Sequence, residues 1–300
     1  MSRLASIIAV LVAAILCAGC GQRTEPTGPL AQPYPVSVRG AGDRPTTLKT
    51  QPKRVVALDP GAAELLVALG IADRLVGVPE GVEGAGKATE VARSTGQLDV
   101  DAIVKLDPDL IVATPNTDEL DLARAARKSG AAVYVEPANS ILNVEQATID
   151  LGFLVGEAPR ARQLVARIEQ RVAAVEGRLA DVDPVTVFVD TGFFITVPER
   201  SLLGDLVFKA KGKSVAGPSP GPGPFPLADL SRLDPEVYLA TSDSGVTLAV
   251  LKGNPATRRL TAVKKRHVRI VPEPLVDRPG PRIAEGLEAV ARALHPDAFR

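Results

Sequence analysis

Asp101-Ala-Ile-Val-Lys-Leu-Asp-Pro-Asp-Leu-Ile-Val-Ala-Thr114 and Ala228-Asp-Leu-Ser-Arg-Leu-Asp-Pro-Glu-Val-Tyr-Leu-Ala-Thr241 are two copies of one pattern. Leu106 falls on Leu233, Pro108 on Pro235 and Thr114 on Thr241 at a single offset. Each copy reads as helix, stop, strand. Proline cannot continue a helix, because its ring removes a donor and clashes with the preceding turn. Leu110 to Ala113 and Val237 to Ala240 are then unbroken apolar runs, the mark of strands buried on both faces of a parallel sheet. Thr114 and Thr241 stand at the carboxyl ends of those strands, where open α/β sheets place their ligands. One such connector would say little; two in register predict two similar lobes.

Strand and helix alternate on either side of the repeats. Arg54 to Leu58 and Leu75 to Val78 read as strands, separated by Asp59-Pro60-Gly61 and a helix that Gly70 ends. A helix over Leu120 to Ser129, a strand over Ala132 to Val135 and a helix over Ile141 to Gly156 complete the first half. Pro159 opens a longer helix with one apolar stripe, Leu164, Ile168, Val172, Val175 and Leu179. Running to Ala180 it would be roughly 33 Å long, enough to bridge two lobes. Thr186 to Val189 starts a second α/β series, with a loop holding Phe193 and Phe194 and a helix over Leu202 to Lys209. A stiff Pro/Gly loop ends at Phe225-Pro226. After the second repeat come a strand over Val268 to Val271, a loop over Pro272 to Pro281 and a terminal helix from Arg282 to Leu294. The fold class is therefore α/β: two similar lobes with central parallel sheets, joined by one long rigid helix.

Composition bounds the function. A chain of 300 residues, 45% hydrophobic, is long enough for two real cores and too apolar for global disorder. A formal net charge of zero gives no electrostatic basis for a nucleic-acid partner. Both cysteines, Cys17 and Cys20, close an uncharged stretch that follows Arg3. That stretch is too short for a membrane span and fits a secretory h-region. The small residues before Cys20 resemble a bacterial lipobox, in which the cysteine is lipidated; a Cys17–Cys20 disulfide is the alternative. Residues 21–52, rich in Pro, Gly, Thr and Gln, read as a tether. The expected organisation is signal peptide 1–20, tether 21–52, first lobe 53–158, bridging helix 159–181 and second lobe 182–300.

Catalytic signatures are weak. Gly81 to Lys87 approaches a P-loop, but Ala88 replaces the hydroxyl that would hold magnesium. His267 and His295 stand apart from any cluster, so no metal site is expected. There is no nucleophile elbow, and no cofactor is called for.

The chain resembles the periplasmic binding proteins of cobalamin and ferric-siderophore ABC importers. The resemblance rests on Pro52 to Gly70, Leu75-Val-Gly-Val78, Asp101 to Ala113, Ser201 to Leu206, Ala262 to Val271 and Val276 to Leu287. It implies two lobes on one long helix, ligand capture between them and docking on a permease with its ATPase. The candidate lining is Asp59, Pro60, Thr114 and Asn116 from the first lobe. Asp190, Phe193, Phe194, Phe225 and Arg278 come from the second. The phenylalanines could instead anchor loops, and Arg278 could fix the Pro279-Gly280-Pro281 turn. The resemblance also implies one docking acid per lobe. Asp101 holds that place in the first; in the second Ala228 occupies it, with Asp229 adjacent. The ligand that the resemblance implies is a metal chelate, either cobalamin, which aromatics would surround, or an anionic ferric siderophore, which arginines would meet. A hydrolase or transferase with its site between the lobes is the rival reading.

Overall fold

The computed structural model describes residues 33–43, 45–93, 96–221 and 223–300. In the first lobe, β3 (Val55–Ala57) leads through α1 (Pro60–Ala68) to β4 (Leu75–Pro79) and β5 (Thr89–Ala92). There follow α2 (Val100–Lys105), β6 (Leu110–Ala113), α3 (Glu119–Ser129) and β7 (Ala132–Val135). Their order in the sheet is β5-β4-β3-β6-β7, all parallel. Two helices then run back to back, α4 (Ile141–Val155) and α5 (Ala158–Arg178). The second lobe holds β8 (Val185–Asp190), α6 (Leu202–Lys209), β9 (Gly212–Ser214), α7 (Leu227–Leu233) and β10 (Val237–Thr241). Short helices α8 (Leu248–Gly253) and α9 (Thr261–Lys264) lead to β11 (Val268–Val271), α10 (Glu273–Val276) and α11 (Ile283–Leu294). This sheet is parallel too, in the order β11-β10-β8-β9.

The repeated pattern has one physical explanation in both lobes. Asp107 and Asp234 both take left-handed backbone, with φ of 45° and 42°, and so end α2 and α7. Aspartate tolerates that conformation better than most residues, and the proline after it bars any return to helix. The acid after each proline then holds the start of the neighbouring central strand. Asp109 Oδ2 accepts from the N–H groups of Lys53 and Arg54 at 2.7 and 2.9 Å. Glu236 Oε2 accepts from the N–H and hydroxyl of Thr186 at 2.8 and 2.9 Å. Leu-Asp-Pro-acid is thus a helix stop joined to a strand clasp.

The long helix α5 has 21 residues, or about 31 Å. Its stripe of Leu164, Ile168, Val172 and Val175 is buried in a core shared by both lobes. Gly152 of α4 lets Ala161 approach, for a Cβ at Gly152 would lie 2.3 Å from that of Ala161. On the other side Arg171 of α5 reaches Glu285 of α11.

The tether reading fails for its second half. Within 33–52, β1 (Val36–Arg39) and β2 (Pro45–Leu48) form an antiparallel hairpin. Val38 and Leu48 are buried in the main core, and the Thr46 hydroxyl donates to Val133 O at 2.6 Å, covering the exposed edge of β7. Tyr34 and Gln51 donate to the last carbonyls of α4, those of Leu154 and Val155, both at 2.9 Å. Alternation of only two core residues in a Pro/Thr-rich segment conceals such a strand pair. Strands β5 and β9 were likewise illegible, being short edges with little apolar content.

Candidate functional site

Both lobes wind the same way. The chain enters at a central strand, β3 or β8, and lays the next strand or strands on one side. It then crosses to place the repeat strand, β6 or β10, on the other. The two switch points therefore fall between β3 and β6 and between β8 and β10, and ligands of open α/β sheets bind at the carboxyl ends of such pairs.

In the first lobe that end is a row of three polar residues. Ala57 pairs with Val112 and Ala113 with Val135; continuing this register aligns Asp59, Thr114 and Glu136 across β3, β6 and β7. The backbone carries the row, with Leu58 N–H donating to Val112 O and Glu136 N–H to Ala113 O, both at 2.8 Å. Asp59 caps α1, its Oδ1 accepting from the N–H groups of Gly61 and Ala62 at 2.7 and 3.3 Å, with Pro60 in the first turn. Burial raises its pKa against those two bonds; Asp277 of the second lobe adds to the rise and Arg278 opposes it. Thr114 is buried and closes a turn with Thr117, leaving Asn116 exposed between them. Glu136 is completely buried, and neither carboxyl oxygen has a hydrogen-bond partner. Burial, then the Asp59 charge, push its pKa well above the ordinary 4.5. The sequence reading missed Glu136, although an acid directly after an apolar strand was the signal that selected Asp59.

In the second lobe the Asp190 carboxylate already has its partners. It is buried at the end of β8, where Oδ1 accepts from the N–H groups of Gly192 and Phe194 and Oδ2 from the Tyr238 hydroxyl at 2.5 Å. Its carboxylate thereby fixes a loop in which Phe193 and Phe194 both adopt left-handed backbone, φ 53° and 63°. Phe194 and Phe225 are packing residues: both lie against the cluster around Phe188, whose ring centroid is 5.4 Å from that of Phe225. Of these three phenylalanines, Phe193 is the one presented to solvent, 84% exposed. Such a backbone is unfavourable for a bulky side chain, and strain of this kind gathers at functional loops.

Arg278 is also engaged. It donates to Glu64 Oε1 at 3.1 Å, and Arg282 binds both Glu64 oxygens at 3.0 and 3.1 Å. Glu64 lies on α1, so this cluster spans the lobes. Beside it, Gly61 permits a close approach: a Cβ there would lie 2.8 Å from Pro279 O. Arg278 thus joins the lobes through Glu64.

Of the docking candidates, Asp101 lies in the first turn of α2, but the cap is Asp99, whose Oδ1 accepts from Ala102 N–H at 2.9 Å. Asp101 is 77% exposed and pairs with Lys128 at 3.2 Å. Asp229, in the first turn of α7, is less exposed and pairs with Arg232 at 3.1 Å. Cys20 lies outside the described residues. Among the described residues there is no cluster of three or more His, Cys, Asp or Glu able to hold a metal ion, and no helix long and apolar enough to cross a membrane.

Known proteins share this architecture. The periplasmic vitamin B12 binding protein BtuF of Vibrio cholerae superposes with a TM-score of 0.72 at 20% identity, over 83% of this chain and 98% of that one. Helicobacter pylori CeuE with Ni(II) bound gives 0.74 at 18%, over 88% and 90%. In sequence, the uncharacterized ABC transporter substrate-binding lipoprotein YvrC of Bacillus subtilis is 25% identical over 97% of each chain. A cobalamin-binding protein of Halobacterium salinarum is 29% identical, over 87% of this chain and 74% of the relative. The matching family is one of binding proteins, so the chain is not an enzyme and the hydrolase or transferase reading has no support. The family model, described as periplasmic binding protein, covers residues 55–275, both switch points included; the chain belongs to that family.

Proposed function

We propose that this chain is the extracytoplasmic substrate-binding protein of an ABC importer. It captures a metal chelate, cobalamin or a ferric siderophore, between its lobes and delivers it to a permease driven by its ATPase. The observation that carries this reading is the matched pair of switch points, held on one shared core so that Asp59 of the first lobe lies within electrostatic reach of Asp277 and Arg278 of the second. Similarity to a cobalamin-binding protein along most of the chain supports the ligand class. Cobalamin, rimmed with neutral amides, suits the acids at the strand ends. Calorimetric titration with cyanocobalamin and with ferric siderophores tests the reading, alongside mass spectrometry of ligand co-purified from the native host. Saturable binding without turnover is expected; failure to bind any metal chelate would overturn it.

A lipid on Cys20 would hold the protein at the outer face of the membrane. Metabolic labelling with a palmitate analogue should mark the wild type, and Cys20→Ala should release it from membranes. Unchanged attachment of the variant would refute the anchor.

A further inference from the structure

We propose that Glu136 is a specificity-determining residue of this site, pairing with a carboxamide of the bound ligand by accepting its N–H and donating an O–H to its C=O. This rests on the metal-chelate reading and narrows it to chelates rimmed with neutral amides. The first support is the residue's isolation. Glu136 is completely buried, yet neither oxygen has a partner, whereas buried polar groups are paired in nearly all native structures. An orphan of this kind weakens the fold and persists where function uses it.

Its position is the second support. Glu136 stands in register with Thr114 and Asp59 at a switch point, where the fold places ligands. The third is the surrounding charge. Asp59 lies close enough for its charge to act on Glu136, and Asp277 acts on Asp59 from the other lobe. The nearby cation, Arg278, shares Glu64 with Arg282. A ligand carboxylate or catecholate placed against Glu136 would therefore meet acidic neighbours, while an amide carries no charge for them to oppose. Burial among these acids also keeps the Glu136 carboxyl protonated to a higher pH, and a neutral carboxylic acid complements a primary amide through two hydrogen bonds. The carboxyl is completely buried in this conformation, so the pairing requires its cover to part.

The test uses the whole folded chain and two probes: cyanocobalamin, rimmed with carboxamides, and a trianionic ferric tris-catecholate. Wild type should bind the first and not the second. Glu136→Met, matched in length, should bind cyanocobalamin about tenfold more weakly, the effect of losing a buried hydrogen-bonded pair. Its Tm should equal or exceed that of wild type, because the orphan is gone. Glu136→Gln, which keeps an acceptor and a donor, should stay within about threefold of wild type. Undiminished affinity in Glu136→Met, or wild-type preference for the tris-catecholate, would overturn the inference while leaving the importer reading intact. Binding of neither probe would overturn the inference, and the importer reading falls with it only if the wider set of ferric siderophores also fails to bind.

Discussion

Phe193 and Phe225 are both aromatic loop residues, yet their surroundings give them different work. Phe193 is solvent-facing on a strained turn, whereas Phe225 packs on Phe188. Phe193→Ala should therefore weaken ligand binding by ~1–3 kcal/mol, the range for one apolar contact, with little change in Tm. Phe225→Ala should lower Tm first. Calorimetry and thermal unfolding of both variants separate the roles; equal affinity loss without destabilisation in Phe225→Ala would contradict the assignment. Glu136 makes a pH prediction. Its pKa is raised on folding, so between the ordinary 4.5 and that raised value the folded chain holds a proton that the unfolded chain has released. Its contribution to stability is full below 4.5 and is lost as pH rises through the folded pKa. Asp59 and Asp190 are shifted the same way. Urea unfolding across this window should show stability falling with pH, and Glu136→Met should make the fall shallower. A parallel curve for the variant would refute the shift.

Helices α2 and α7 occupy equivalent places in the two lobes but start differently. Asp99 caps α2, while Pro226 stands at the start of α7 and offers no side-chain cap. Their acids differ also. Asp101 projects with a single partner on the next helix, whereas Asp229 is drawn to Arg232 on its own helix and is more covered. If these acids meet permease arginines, the first lobe docks more strongly. Asp101→Arg should abolish uptake with ligand affinity unchanged, since like charges oppose the encounter. Asp229→Arg should cost less. Transport assays decide; equal or reversed losses would contradict the asymmetry.

At the scale of the whole molecule, two features set how firmly the lobes are joined. One is the helix α5, whose apolar stripe belongs to a core common to both. The other is the contact of α1 with residues 278–282, where Glu64 holds two arginines and Gly61 meets Pro279. Glu64→Ala should cost roughly 1–2 kcal/mol, because the pairs are only partly shielded from solvent. The loss should shrink at high salt as screening weakens the reference protein. Urea denaturation at low and high salt measures it, and a variant as stable as wild type at low salt would show the bridge to be idle.

The local syntax of the chain was enough for the lobes. Leu-Asp-Pro-acid followed by an apolar run specifies helix, stop and buried strand through proline geometry and hydrophobic pattern, and both act within a few residues. The same rules exposed Asp59 and Thr114, because a residue that ends a buried parallel strand has little choice of location. Partners distant in sequence were beyond such rules. Tyr238 closes on Asp190, Glu64 reaches Arg278, and the hairpin at 36–48 covers β7 only once the sheets have assembled. Whether a carboxylate caps a loop, bridges lobes or stands unpaired depends on which groups the fold brings within about 3 Å, a hydrogen-bond length. Strand ends followed from sequence; the tertiary structure alone decided that Asp190 is satisfied and Glu136 is not.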